Sequence, residues 1–266
     1  MSEELINKVL AEVVKKMGGD APAPSAAPAP TPAAGALPAV TEFVGTNVLG
    51  DTIGMVIANV DPKLRAMMKL EKDFRSIGIL GARTGAGPHI FAADEAVKAT
   101  NSEILTIELP RDTKGGAGHG SLIIFGAEDV SDARRAVEVS LGELDRTFGD
   151  VYGNDAGHLE FQYTARASYA LSKAFGAPIG KAFGITVGAP AGIGVVLADT
   201  AVKAATVDVI GYASPAGGTS YSNEVISFLS GDSGAVRQAI IAAREVGIPL
   251  LGALGAKPES TTTPYI

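Results

Sequence analysis

Residues 93–99 read Ala-Asp-Glu-Ala-Val-Lys-Ala, and residues 198–204 read Ala-Asp-Thr-Ala-Val-Lys-Ala. The offset of 105 continues downstream, where Glu103-Ile104-Leu105 faces Asp208-Val209-Ile210, Pro110 faces Pro215 and Gly126 faces Gly231. After a two-residue loop adjustment, Arg134 aligns with Arg237, Ala136 with Ala239 and Val137 with Ile240. Solenoid repeats have periods of roughly 20–50 residues. A period of 105 instead marks two similar domains fused in tandem, each of about 100 residues and able to bury a core of its own. Comparing the copies then sorts the residues. What both copies keep serves the shared architecture or a repeated contact, and what one copy has alone is where individual function is sought.

Composition narrows the function classes. The formal net charge is -7, without the basic stripe expected of a nucleic-acid binder. The absence of cysteine removes disulfides, thiolate catalysis, iron–sulfur ligation and most zinc sites. No apolar run reaches the roughly 18 residues of a membrane span. The first residues carry Glu3 and Glu4 instead of a basic-then-apolar leader. These features lead us to expect a soluble, intracellular protein with no membrane and no nucleic-acid partner.

Leu5, Ile6, Val9, Leu10, Val13, Val14 and Met17 recur at helical spacing. Ser2 suits the cap, Glu3 and Glu4 the N-terminal end, and Lys15 and Lys16 the C-terminal end. An isolated helix this short is marginal in water, so its apolar stripe wants a partner. Residues 20–40 form a Pro/Ala-rich linker. The expected organisation is thus an amphipathic helix over 1–19, a linker over 20–40, a first domain over 41–152, a second over 153–256 and a polar tail over 257–266.

In the first domain the pattern predicts strands at 53–59, 76–81, 103–109 and 121–125. Helices are predicted at 62–72, capped by Asp61, then at 89–99 and 131–146. In the second, strands are predicted at 158–163, 182–187, 207–212, 224–229 and 248–253. Its helices are predicted at 165–174, capped by Thr164, then at 194–204 and 234–246. Alternating strands and helices indicate an α/β class. The short loops within 103–125 and 207–229 imply antiparallel neighbours. The expected fold is therefore α+β in character, each domain a mixed, largely antiparallel sheet with helices packed on it.

The stretch Gly81-Ala-Arg-Thr-Gly-Ala-Gly87 lies between a strand and a helix and approximates a dinucleotide-binding turn. Its spacing departs from Gly-x-Gly-x-x-Gly, and the second copy, Gly188–Gly194, keeps glycines while losing Arg83. Glycines common to both copies read as a need of the turn, so no cofactor is indicated. The loop 110–120 carries Arg111, Asp112, Lys114, Gly115, Gly116 and His119, whereas its counterpart Gly217, Gly218, Thr219 and Ser220 is uncharged. Backbone N–H groups in such a loop suit an anion or a polar ligand. No Walker loop, nucleophile elbow or carboxylate pair is present, and His89, His119 and His158 lie at no metal-ligand spacing. The histidines are expected at surfaces or helix ends, and neither a catalytic nor a metal site is assigned. Lys98 and Lys203 occupy equivalent last turns of equivalent helices. Dipole complementarity accounts for a few tenths of a kcal/mol of that preference, and retention in both copies points to a repeated contact.

The stretch Leu197–Tyr212, followed by Ser230-Gly-Asp-Ser-Gly-Ala-Val-Arg237, resembles the helix, strand and Gly-Asp-x-Gly-Ala-Val signature of the bacterial microcompartment shell family. Gly54–Pro62 resembles the circularly permuted form of that domain. Two permuted copies, with Gly81–His89 and Pro110–His119, are similar to the tandem shell proteins of propanediol-utilisation compartments. The resemblance covers roughly residues 41–256. It implies a non-enzymatic homotrimer of pseudo-hexagonal outline, located in a cytoplasmic microcompartment shell and tiling with other shell proteins. It also implies that Lys98 and Lys203 lie along the tile edge. Arg111, Asp112, Lys114, Gly115, Gly116, His119, Gly217, Gly218, Thr219 and Ser220 are then candidate pore or polyol contacts. The helix carrying Leu5, Ile6, Val9, Leu10, Val13 and Val14 would dock encapsulated enzymes. Small polyols are implied as occupants of channels within the trimer. Two other classes are weighed against this one: a small-molecule-binding or sensory trimer, and a nucleotide-binding enzyme using the Gly-rich turns.

Overall fold

A computed structural model of the chain describes residues 40–70, 72–111 and 119–266. The first sheet has five strands, β1 (Phe43–Asn47), β2 (Thr52–Ile57), β3 (Ser76–Ala82), β4 (Glu103–Glu108) and β5 (Ser121–Ala127). Their order is β1-β2-β3-β5-β4. Three helices accompany it, α1 (Pro62–Met68), α2 (Ala86–Ala99) and α3 (Val130–Thr147). The second sheet is built from β6 (Val151–Asn154), β7 (Gly157–Thr164), β8 (Ala182–Ala189), β9 (Asp208–Ala213) and β10 (Val225–Gly231). Its helices are α4 (Tyr169–Phe175), α5 (Ala191–Ala204) and α6 (Ser233–Gly252). The order β6-β7-β8-β10-β9 repeats the first sheet strand for strand, with a short extra strand, β11 (Glu259–Ser260), added beside β6. Every pairing between named strands is antiparallel, with Leu80 opposite Ile123 in the first sheet and Val187 opposite Ile226 in the second.

The helices lie close on the sheets because small residues face them. A side chain at Gly78 would meet the Ala133 carbonyl of α3 at 2.5 Å, and one at the equivalent Gly184 would meet Val236 of α6 at 2.9 Å. One apolar cluster runs across both domains. Ile90 and Phe91 of α2 join Leu171 of α4 and Phe183 and Val187 of β8. Phe91 stacks on Phe183 at 5.9 Å, and Phe175 on Phe228 at 5.0 Å. A second cluster, including Leu159, Leu197, Ile240 and Leu251, fills the space between β7, α5 and α6. No helix among the described residues is long and apolar enough to cross a membrane.

The structure corrects several local expectations. The predicted strand at 248–253 is instead the last part of α6, which continues through Pro249. Leu251 and Gly247 on that turn are buried, so tertiary packing outweighs the breaker signal. Helix α4 starts at Tyr169 with Ser168 at its N-cap, and Thr164 still belongs to β7. Strands β1, β6 and β11 were not expected. The polar tail is docked: Tyr265 and Ile266 donate backbone N–H groups to Asp150 Oδ2 at 2.8 and 3.1 Å, and Arg244 binds both Asp150 and the Ile266 carbonyl. The segment carrying Leu5, Ile6, Val9, Leu10, Val13 and Val14 lies outside the described residues, as does the linker up to residue 39.

Candidate functional site

The repeated helix has two different fates in the two copies. In α2, Asp94 is 1% exposed. Both its carboxylate oxygens accept the Ser168 N–H at 3.0 Å, and Oδ1 also accepts the Leu171 N–H at 3.2 Å. The carboxylate of the first domain therefore caps helix α4 of the second, whose own N-cap side chain, Ser168, makes no capping bond. Burial, the largest influence, raises the Asp94 carboxyl above its ordinary range, while Lys98 and the two N–H groups pull it back. Lys98 Nζ lies 2.9 Å from both Asp94 Oδ2 and Glu95 Oε1, with its side chain 24% exposed. In α5 the equivalent pair, Lys203 and Asp199, meets at 2.7 Å with exposures of 73% and 58%. Lys203 thus sits in the open, whereas Lys98 is three-quarters covered and keeps part of its side chain at the surface.

Beside that seam lies a cavity of about 470 Å³ walled by both domains. Ala86 and Gly87 of α2 form one side and Ala174 and Phe175 of α4 another, with β7, β8, β9 and β10 completing it. Among the residues expected to contact a pore or polyol, the structure brings His119, Gly218, Thr219 and Ser220 to this cavity. The loop ends are pinned there: the Ala86 N–H donates to the His119 carbonyl at 3.0 Å, and the Gly120 N–H to the Pro110 carbonyl at 3.0 Å. Gly217 is exposed and closes a turn with Ser214 without lining the cavity. Arg111 is exposed and likewise outside its lining. Asp112, Lys114, Gly115 and Gly116 lie outside the described residues.

Two acids complete the wall. Glu160 of β7 is 5% exposed and Glu224, just before β10, is 3% exposed. Glu224 Oε2 lies 3.4 Å from His158 Nε2, although that nitrogen makes no hydrogen bond. Burial, and secondarily the charge of Glu224, pushes the Glu160 carboxyl from 4.5 up to about 8. Sequence reading missed this pair because the two acids are 64 residues apart and meet only through the sheet. The available signal was the polar alternation His158, Glu160, Gln162 within a strand whose intervening residues, Leu159 and Phe161, are core.

In the first Gly-rich turn Gly85 has φ +82°, and a side chain there would meet the Phe148 ring at 2.3 Å. This agrees with reading that glycine as architecture. His89 stands at a helix end, in the first turn of α2, and is fully buried there. Its Nδ1 meets the Gly85 carbonyl at 2.5 Å and its Nε2 the Thr52 hydroxyl at 2.7 Å. Burial lowers its pKa from 6.5 to about 4. No group of His, Asp or Glu residues able to hold a metal is found among the described residues.

The BMC domain family model matches residues 76–154 and again residues 182–255. Bacterial microcompartment shell protein PduB of Citrobacter freundii is 68% identical over 227 residues, spanning 85% of this chain and 84% of the relative. A crystal structure of a trimeric microcompartment shell protein PduB superposes with a TM-score of 0.83 at 54% identity, over 85% of this chain and all of that one. The structure of EtuB from Clostridium kluyveri gives 0.82 at 57% identity, over 86% of this chain and all of that one. The tandem matches, these identities and the duplicated sheet order together place the chain in the BMC-domain family of bacterial microcompartment shell proteins.

Proposed function

We propose that this chain is a structural tile of a microcompartment shell that closes as a homotrimer of pseudo-hexagonal outline and catalyses no reaction. The observation that carries the trimer is the unequal fate of the repeated helix. Ile90, Phe91 and Asp94 of α2 are buried against the second domain. Their counterparts in α5, Val195, Val196 and Asp199, are exposed. The other half of the contact is also open: α4 buries Leu171, whereas Leu64 of α1 is 50% exposed and Met67 76%. Docking α5 of one copy on α1 of the next repeats the intramolecular seam and closes a ring of six domains from three chains. Only the cap differs, because Asp61 already accepts the Lys63 and Leu64 N–H groups at the start of α1. Changing Val196→Glu places a charge in this apolar contact and is expected to yield monomers by size-exclusion chromatography with light scattering. A trimer unchanged by Val196→Glu removes this face from the interface.

Lys98 and Lys203 stand at the C-terminal ends of α2 and α5, and we assign them to the edge along which trimers tile with one another and with other shell proteins. Lys98→Ala combined with Lys203→Ala is expected to leave the trimer intact and abolish extended sheets in electron micrographs. Unchanged sheets reject the assignment. The interdomain cavity is read as a passage for small polyols, since hydroxyl-bearing and acidic groups line an apolar pocket of metabolite size. The N-terminal segment with Leu5, Ile6, Val9, Leu10, Val13 and Val14 is assigned to docking encapsulated enzymes, in the manner of an amphipathic helix in a groove. Shells lacking residues 1–38 that retain cargo normally contradict that assignment.

A further inference from the structure

The two domains carry opposite charges that their copies do not share. Between Glu160 and Asp199 the sequence holds no acid, yet it contains Arg166, Lys173 and Lys181. The matching stretch of the first domain interleaves its lysines and arginines with Asp61, Glu71 and Asp73. The Ala167 N–H donates to the Lys181 carbonyl at 2.8 Å, and the Gly180 N–H to the Ala167 carbonyl at 2.9 Å. These bonds bring Arg166 and Lys181 to neighbouring positions at the two ends of the segment that carries α4. Both are exposed, and neither pairs with an acid among the described residues. Tyr169 and Ile179 of the same segment are 66% and 55% exposed. Tyr169 also lines a groove of about 530 Å³ between the domains, with Lys72 and Lys173 on its walls beside Val97, Ser102 and Ile104. Within that groove Lys72 is paired with Glu103.

The first domain bears the complement. The turn into α3 reads Glu128-Asp129-Val130-Ser131-Asp132, whereas its counterpart before α6 has the single acid Asp232. Glu128 and Asp129 are exposed and Val130 is 40% exposed. None of the three acids pairs with a cation among the described residues. Asp129 stands at the N-cap of α3 without making a capping bond, so the helix does not claim its carboxylate. An apolar residue flanked by acids complements a groove with an aromatic wall flanked by cations. Turn and groove lie on one edge of the protomer: Glu103 in the groove sits opposite Gly126 in the β4–β5 register, just ahead of Glu128 in the chain. Val97 in the groove directly precedes Lys98. The turn does not line the groove of its own chain. With both features on one edge, a two-fold axis between two copies lets each turn meet the other's groove, an isologous contact that closes on itself.

We propose that the Glu128–Asp132 turn of one trimer seats on the α4 groove of a second trimer, with Val130 as the anchor and Arg166, Lys173 and Lys181 facing the acids. This rests on the reading of the chain as a tile that associates with further copies. The test uses two full-length variants, one reversing the turn (Glu128→Lys with Asp129→Lys) and one reversing the groove rim (Arg166→Glu with Lys181→Glu). Association of trimers is followed by light scattering and sedimentation velocity in about 0.1 M salt, where the screening length is about 10 Å. Each variant alone is expected to associate at least about tenfold more weakly than the wild type, because like charges then face each other. An equimolar mixture of the two is expected to regain association, since a reversed turn then meets a reversed groove in both halves of the contact. Misfolding of either variant does not yield such a rescue. Variants that associate as the wild type does, or a mixture no better than its components, overturn the proposal while leaving the tile reading intact. Wild-type trimers that do not associate at all defeat the tile reading, and this proposal with it. Should a reversal variant fail to fold, Glu128→Gln with Asp129→Asn takes its place and is expected to associate more weakly and with less dependence on salt. Association as strong and as salt-sensitive as that of the wild type then overturns the proposal.

Discussion

Removing the Asp94 carboxylate is expected to loosen the seam between the domains far more than removing its twin Asp199. In Asp94→Ala, the Ser168 and Leu171 N–H groups lose the acceptor that caps α4, and Lys98 loses a partner at 2.9 Å. Loss of an N-cap costs about 1 kcal/mol and up to 2. A further charge-assisted hydrogen bond lost at a buried site adds about 1.5–3. The raised pKa of Asp94 shows that burial of the carboxylate itself is unfavourable, which offsets part of the loss. A net destabilisation of about 3 kcal/mol is expected, or roughly a hundredfold in the folding equilibrium. Asp199 pairs with Lys203 and caps no described helix, and α1, which α5 of the next copy would meet, already has Asp61 as its cap, so Asp199→Ala should cost less than about 0.5 kcal/mol. Urea titration monitored by circular dichroism at fixed protein concentration measures both. Asp94→Asn retains one acceptor and should fall between wild type and Asp94→Ala. If Asp94→Ala unfolds at the wild-type midpoint, or Asp199→Ala is equally damaging, the cross-domain cap does not hold the seam.

Four further outcomes are expected. His89 stays neutral in the fold down to about pH 4, while the unfolded chain protonates below 6.5. Its contribution is present above 6.5 and lost as pH falls through that window, at up to about 1.4 kcal/mol per unit, so His89→Gln should flatten the acid limb of a stability profile. Glu160 has the opposite sign: its folded pKa is raised from 4.5 to about 8. Its contribution is therefore greatest below 4.5 and lost as pH rises to about 8, and Glu160→Gln should remove that decline from urea midpoints measured between pH 5 and 8. Gly85→Ala forces a side chain into Phe148 at positive φ and should cost about 2 kcal/mol or more. Gly192→Ala, with nothing within 4 Å, should leave thermal unfolding of the protomer at or above wild type.

Much of the fold was legible because it is written twice. The 93–99 and 198–204 match located equivalent helices, and the apolar runs around 76–81 and 182–187 located the central strands. Short strands such as Val151–Asn154 escaped because their pairing, not their composition, defines them. Ile248-Pro-Leu-Leu251 read as a strand because its burial against Leu159 and Leu197 is a tertiary fact that overrides Pro249. The cap of α4 was misplaced for the same kind of reason, since its acceptor is 74 residues away in the other domain. Loop residues His119, Gly218, Thr219 and Ser220, which line the interdomain cavity, stand out in the sequence as polar or small residues among glycines. Glu160 and Glu224 were not, because an acid in a strand acquires meaning only when the sheet and the neighbouring domain enclose it.

The proposed shell tile depends on a ring of three chains. Light scattering combined with negative-stain microscopy of the purified protein tests it most directly. Three 27.0 kDa chains should give a particle of about 81 kDa, flat and six-sided, that packs edge to edge into sheets. A monomer, a dimer or a compact particle without the six-sided outline contradicts the proposal that α5 of one copy docks on α1 of the next.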